Sequence, residues 1–295
     1  MMFNDEEPSV EKLDKRFLEA FDPFQNFLFV QLMKSGSFPV LVLRNECADL
    51  SELLSDYNLS VERQSRQRGL FTRVMRYFTS EALVKMIAGA PPHGPFYRVN
   101  AEMQQKNLTN YIRSISQRKI PNEFSLITGG LKVESFSLWL SLKAFASTEP
   151  CQWSDWGEFE RLLVEEATLL TKRGVINSFK HCRPWSSTDI GPMRITLNNS
   201  EENSLVINRF KSIESISWKK ERRGNFSIVS EYEEFDFDLD ESRVFCVSVA
   251  LNAIRKVWLA RISGSEQVQV QLPTIDSRIG VPQRFSFTTT FGARQ

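Results

Sequence analysis

The chain has 295 residues, of which 41% are apolar and 25% charged, and a formal net charge of +1. That balance excludes disorder of the whole chain, which requires low hydrophobicity and a high net charge. The near-zero net charge conceals segregation along the chain, which argues for self-complementary surfaces or two different partners more than for general attraction to nucleic acid, and the length suits one large domain or two ordinary ones.

The acidic lead Met1 to Pro8 lacks the basic start and apolar run of a secretory signal, so the chain is expected in the cytoplasm, with the nucleus as the alternative. Ser9 is placed to cap a helix on which Val10, Leu13, Phe17, Leu18 and Phe21 recur at helical spacing, and Pro23 breaks it. Phe24 to Lys34 reads as a second helix ending at Gly36. The short apolar run Phe38 to Arg44 suits a buried strand or an extended connection. No apolar run approaches the roughly 20 residues of a bilayer span. Ser60 to Ala88 reads as one or two helices. The segment Gly89-Ala-Pro-Pro-His-Gly-Pro95 then cannot continue a helix and is the clearest linker. Further helices are expected over Tyr97 to Arg118, Val133 to Phe145 and Asp155 to Lys172, punctuated by Pro121, the Gly129-Gly130 pair and Gly174.

After Pro184 the period changes from helical to alternating. Strands are expected at Met193 to Leu197, Leu205 to Phe210, Ile213 to Trp218, Phe226 to Leu239, Val244 to Val249, Val268 to Leu272 and Phe285 to Thr289, with a hairpin turning near Gly224-Asn225. The expected fold is therefore α+β: a helical region over residues 1–185, then a mainly antiparallel, β-rich region over 186–295, packed separately or as one unit. The 23 phenylalanines are expected to fill the core.

Charge is segregated along the chain. Between Ser60 and Pro121 there are eleven Lys or Arg against three Glu, while Glu231 to Glu241 holds seven carboxylates and no basic residue. Arg63, Arg66, Arg73 and Arg76 fall on one arc of a helix, apart from Phe71, Val74, Met75 and Phe78. Arg113 on the following helix and a hairpin tip with Lys219, Lys220, Arg222 and Arg223 beside Trp218 extend the basic pattern. Guanidinium forks suit phosphates and carboxylates alike, so the pattern points to RNA, single-stranded nucleic acid or an acidic protein surface. Read as a strand, Asp236-Phe-Asp-Leu-Asp240 sets Asp236, Asp238 and Asp240 on one face, an acidic face for a partner or for another copy of the chain.

Catalytic chemistry finds little support. Two histidines, His93 and His181, and four scattered cysteines, Cys47, Cys151, Cys182 and Cys246, give no zinc spacing. No nucleophile elbow, phosphate-binding glycine loop or EF-hand loop is present, and no cofactor or metal is expected. The chain reads as a non-catalytic binding or assembly protein, with nucleic acid or a protein as its partner and self-association as one mode. The alternatives are a divergent metal-dependent nuclease, using Asp236, Asp238 or Asp240 near Lys219 or Lys220, and an accessory protein of a virus or mobile element acting through protein contacts.

Overall fold

A computed structural model describes residues 9–34, 61–90, 105–121, 133–149, 151–172, 185–186, 193–196, 204–207, 212–220, 226–234, 236–265, 267–275, 278, 280–282 and 284–291. The helices are α1 (Val10–Ala20), α2 (Gln25–Lys34), α3 (Val61–Gly89), α4 (Gln105–Ser116), α5 (Phe136–Phe145), α6 (Trp156–Thr171) and α7 (Phe237–Ile262). The expected segment Phe38 to Arg44, the prolines of the linker, the Gly129-Gly130 pair and Gly174 lie outside the described residues.

Local chemistry explains where these helices start and stop. The Ser9 hydroxyl accepts the Lys12 N–H at 3.4 Å and the Ser135 hydroxyl accepts that of Leu138 at 3.2 Å, so each supplies a partner to an amide that has none inside its helix. Beyond α4, Arg118 turns left-handed at φ 53°. The Lys119 N–H can then reach back to Ser114 O at 2.9 Å, and the chain leaves the helix. Gly264, at φ 72°, does the same after α7 and carries the Ser265 N–H to Ala260 O at 2.8 Å.

The α+β expectation is overturned. Of the residues described with their side chains, 68% are helical and they include one short piece of strand, so among them there is no β-rich C-terminal part. The last third is organised instead around the 26-residue α7. Its first turn occupies the sequence read as the end of a strand, because Asp236 acts as a helix cap: its Oδ1 accepts the Leu239 N–H at 3.0 Å. Asp238 and Asp240 follow in the first turn, where the helix dipole favours negative charge. The apolar run Val244 to Val249 is also helical. Val244, Val247, Leu251, Ile254 and Trp258 recur every three or four residues and are all buried. Replacing Asp236 with Ala is expected to cost about 1 kcal/mol through loss of the cap; urea-induced unfolding of the two proteins measures it.

Where strands do form, the backbone pairs β1 (Trp185–Ser186), β4 (Ser212–Lys220), β5 (Phe226–Glu234) and β6 (Arg284–Phe291) in that spatial order, all antiparallel, while β2 (Met193–Thr196) pairs with β3 (Ser204–Ile207). Val268–Leu272, expected as a strand, joins neither ladder.

The chain divides into two compact units, each assembled from three separate segments. The first comprises Met1–Phe29, Arg76–Thr171 and Glu241–Gly280; the second comprises Val30–Met75, Lys172–Asp240 and Val281–Gln295. In the first unit α4 packs on α6. Leu108, Tyr111, Ile112 and Ile115 of α4 and Phe159, Leu162, Leu163 and Leu170 of α6 are all buried.

Candidate functional site

The two central arginines of the expected basic face are buried, Arg73 at 1% exposure and Arg76 at 0%. Transfer of an unpaired charge out of water costs far more than a fold can spare, so a buried guanidinium must meet carboxylates. In the second unit Arg73 does so twice: Nη1 lies 2.6 Å from Glu233 Oε1, and Nε lies 2.9 Å from Asp240 Oδ2. The other oxygen of Glu233 takes Arg284 Nε at 2.6 Å. Those two residues stand directly opposite each other across the β5–β6 ladder, a register that brings opposite charges together.

In the first unit Arg76 forms a two-pronged pair with Glu166, Nε to Oε2 at 2.9 Å and Nη2 to Oε1 at 2.5 Å. Ser80 Oγ lies 2.7 Å from the same Oε2. Nη2 also donates to the Gly280 carbonyl at 2.5 Å, and the Gly280 N–H donates to Glu165 Oε2 at 3.1 Å. Glu165 in turn holds Arg243 Nη2 at 2.7 Å, and Arg243 Nη2 donates to Arg278 O at 2.9 Å. The backbone of one glycine therefore joins two ion pairs. A Cβ at that position would stand 2.6 Å from Glu165 Oε2 and 2.9 Å from Arg243 Cζ, which explains why the residue has none.

These contacts decide what the predicted charges can do. Arg73, Arg76 and Asp240 are spent internally and present no surface to a ligand. Asp236, Asp238 and Asp240 do not share a face: on a helix, Asp238 and Asp240 point about 200° apart, and Asp238 is exposed while Asp240 is buried. The expected acidic strand face is corrected accordingly, since the segment caps and starts a helix. Arg113 is exposed on α4, with exposed Arg118 and Lys119 just beyond that helix. Arg63 and Arg66 lie in the first turns of α3 and Lys219 and Lys220 at the end of β4. Arg222 and Arg223 lie outside the described residues. Among the described residues, no group of three or more His, Cys, Asp or Glu side chains is arranged to hold a metal ion.

Two features of the first unit escaped the sequence reading. Lys143 on α5 is buried, and its Nζ donates to the carbonyls of Ala88, at 3.2 Å, and Ala90, at the end of α3. Desolvation pulls its pKa down to about 7. A signal for it existed: at helical spacing Lys143 falls on the same arc of α5 as Phe136, Trp139 and Leu140, away from Ser137 and Ser141. The second feature is an open hollow of about 470 Å³ lined by Phe145, Glu149, Cys151, Trp153, Val257, Val268 and Val270 among others. The Trp153 ring stands edge-on to Phe145 at 5.0 Å yet stays 45% exposed, and Val268 at the rim is 41% exposed. Burial pushes the pKa of the Cys151 thiol up from its ordinary value.

No known protein family matches the chain, and neither does any curated protein or solved structure. Among the described residues, no helix is long and apolar enough to cross a membrane.

Proposed function

We propose that this chain is a non-catalytic binding or assembly protein that works through contacts with other protein chains. One observation carries the reading: on the first unit, large apolar side chains face outward in two groups. Trp153 and Val268 stand at the hollow. Phe245, 45% exposed, meets the rings of Phe24 and Phe27, and Leu28 beside them is 54% exposed. A single exposed apolar residue is ordinary, but grouped ones around a concavity are what protein interfaces are made from. The inward pairing of Arg73 and Arg76 supports the same choice, because it takes the centre out of the basic face that phosphates would have met.

Panning a displayed library of random peptides on the purified chain tests this. Peptides should be enriched, and their affinity should fall at least about tenfold on Trp153→Ser, the loss of one aromatic anchor. The opposing result is no peptide enrichment together with salt-sensitive binding of RNA or DNA oligonucleotides that is lost on Arg113→Glu, Arg118→Glu; that would replace this reading with the nucleic-acid one.

A further inference from the structure

Residues 267–271, Gln-Val-Gln-Val-Gln, run past the hollow with no helix, turn or bend. From Gln269 on, exposure alternates as in a strand lying on a protein surface: Gln269 and Gln271 are exposed, Val270 is half-buried and Leu272 buried, while Gln267 and Val268, the latter 41% exposed at the rim of the hollow, both meet solvent. The valines belong to the lining of the hollow, which leaves the backbone edge running along the surface. Gln267 O accepts the Ser265 hydroxyl, but among the described residues no hydrogen bond engages the backbone of Val268, Gln269, Val270 or Gln271. Straight, β-prone and unpaired, this is an open strand edge that another strand can extend.

We propose that the edge is filled by the same segment of a second copy of this chain, paired antiparallel about a two-fold axis through Gln269. The proposal rests on the protein-contact reading above and names its partner. The sequence supplies the argument, because Gln267-Val-Gln-Val-Gln271 reads the same in both directions. Antiparallel pairing centred on Gln269 therefore sets Val268 opposite Val270 of the second copy, Gln267 opposite Gln271, and Gln269 opposite itself. Every valine lands on the face of the hollow and every glutamine on the solvent face, the self-complementarity that a two-fold interface requires. Charge is compatible as well: none of the five paired residues is charged, so no like charges meet. Pro273, which has no N–H to give, ends the ladder. Five residues a side is far short of the roughly 800 Å² per partner of a standard interface, so the dimer is a weak one, populated only at high concentration.

Sedimentation of the full-length protein over a wide concentration range tests the pairing, with circular dichroism confirming that each variant is folded. The wild type should show a reversible monomer–dimer equilibrium. Gln269→Lys and Gln269→Glu each set like charges face to face on the axis and should weaken the dimer by about tenfold, while an equimolar mixture of the two should recover it. A dimer indifferent to both substitutions, a mixture that does not recover, or growth into open-ended assemblies would each overturn the proposal. So would a wild type that stays monomeric at every concentration. If that monomer still captures peptides through Trp153, the self-pairing alone is wrong; if it captures none, the protein-contact reading falls with it.

Discussion

Arg76→Ala is expected to destabilise the protein by about 3–5 kcal/mol, the range for removing one partner of a buried ion pair. Glu166 is fully buried and takes both Nε and Nη2 of Arg76, so the alanine variant leaves a buried carboxylate beside the Ser80 hydroxyl, its guanidinium gone, and the Gly280 carbonyl without that donor. The loss belongs to the stranded charge more than to the attraction itself. Removing both charges together, as Arg76→Met, Glu166→Met, should therefore restore most of the stability, short by about 1–3 kcal/mol for the unserved Gly280 carbonyl. Urea-induced unfolding of the wild type, the single and the double variant provides the comparison. A single variant that costs under about 1 kcal/mol would place the pair in solvent rather than in the core.

Lys143 should give the chain an unusual dependence on pH. Its pKa falls from 10.5 to about 7 on folding because burial disfavours the ammonium form. Below about pH 7 both the folded and the unfolded chain hold the proton, and the desolvation cost is borne in full. Between about 7 and 10.5 the unfolded chain keeps a proton that the folded chain has released, so stability rises with pH through that window. The neutral amine still has two N–H groups for the carbonyls of Ala88 and Ala90. Stability of the wild type minus that of Lys143→Met is expected to increase by a few kcal/mol from neutral pH to pH ~10. Chemical denaturation of both proteins across that range measures it, and a flat difference would show that the amine reaches water.

The helices of the first unit were legible because local chemistry sets them. Ser9 caps α1 as its side chain foretells, and the helix expected over Asp155 to Lys172 forms as Trp156–Thr171. The errors in the last third have a physical origin. Asp236-Phe-Asp-Leu-Asp240 alternates, and alternation over five residues also describes a capping carboxylate followed by an acidic first turn. Val244 to Val249 is rich in valine, and only a window reaching Trp258 exposes its helical spacing. The fate of Arg73 and Arg76 could not be read locally at all. A helical arc shows which arginines point together, but whether that arc meets water depends on Glu233, Asp240 and Glu166, which lie 160, 167 and 90 residues away. Trp153 and Trp156 flank Asp155 and look alike in the sequence, yet Trp156 is buried with its indole N–H on Ser137 Oγ at 2.7 Å while Trp153 stands half in solvent.

The discontinuity of both units bears on how the protein is made. A ribosome delivers Arg73 and Arg76 early, but Asp240 follows Arg73 by 167 residues and Gly280 follows Arg76 by 204. Until those partners emerge, neither guanidinium can enter its buried setting, so the first half of the nascent chain cannot settle into its final packing during synthesis. Contacts of such long range slow folding, because the entropy of closing the loop is lost before the contact rewards it. Until then the apolar surface that those contacts complete stays unfinished, the condition in which folding chains are most prone to associate.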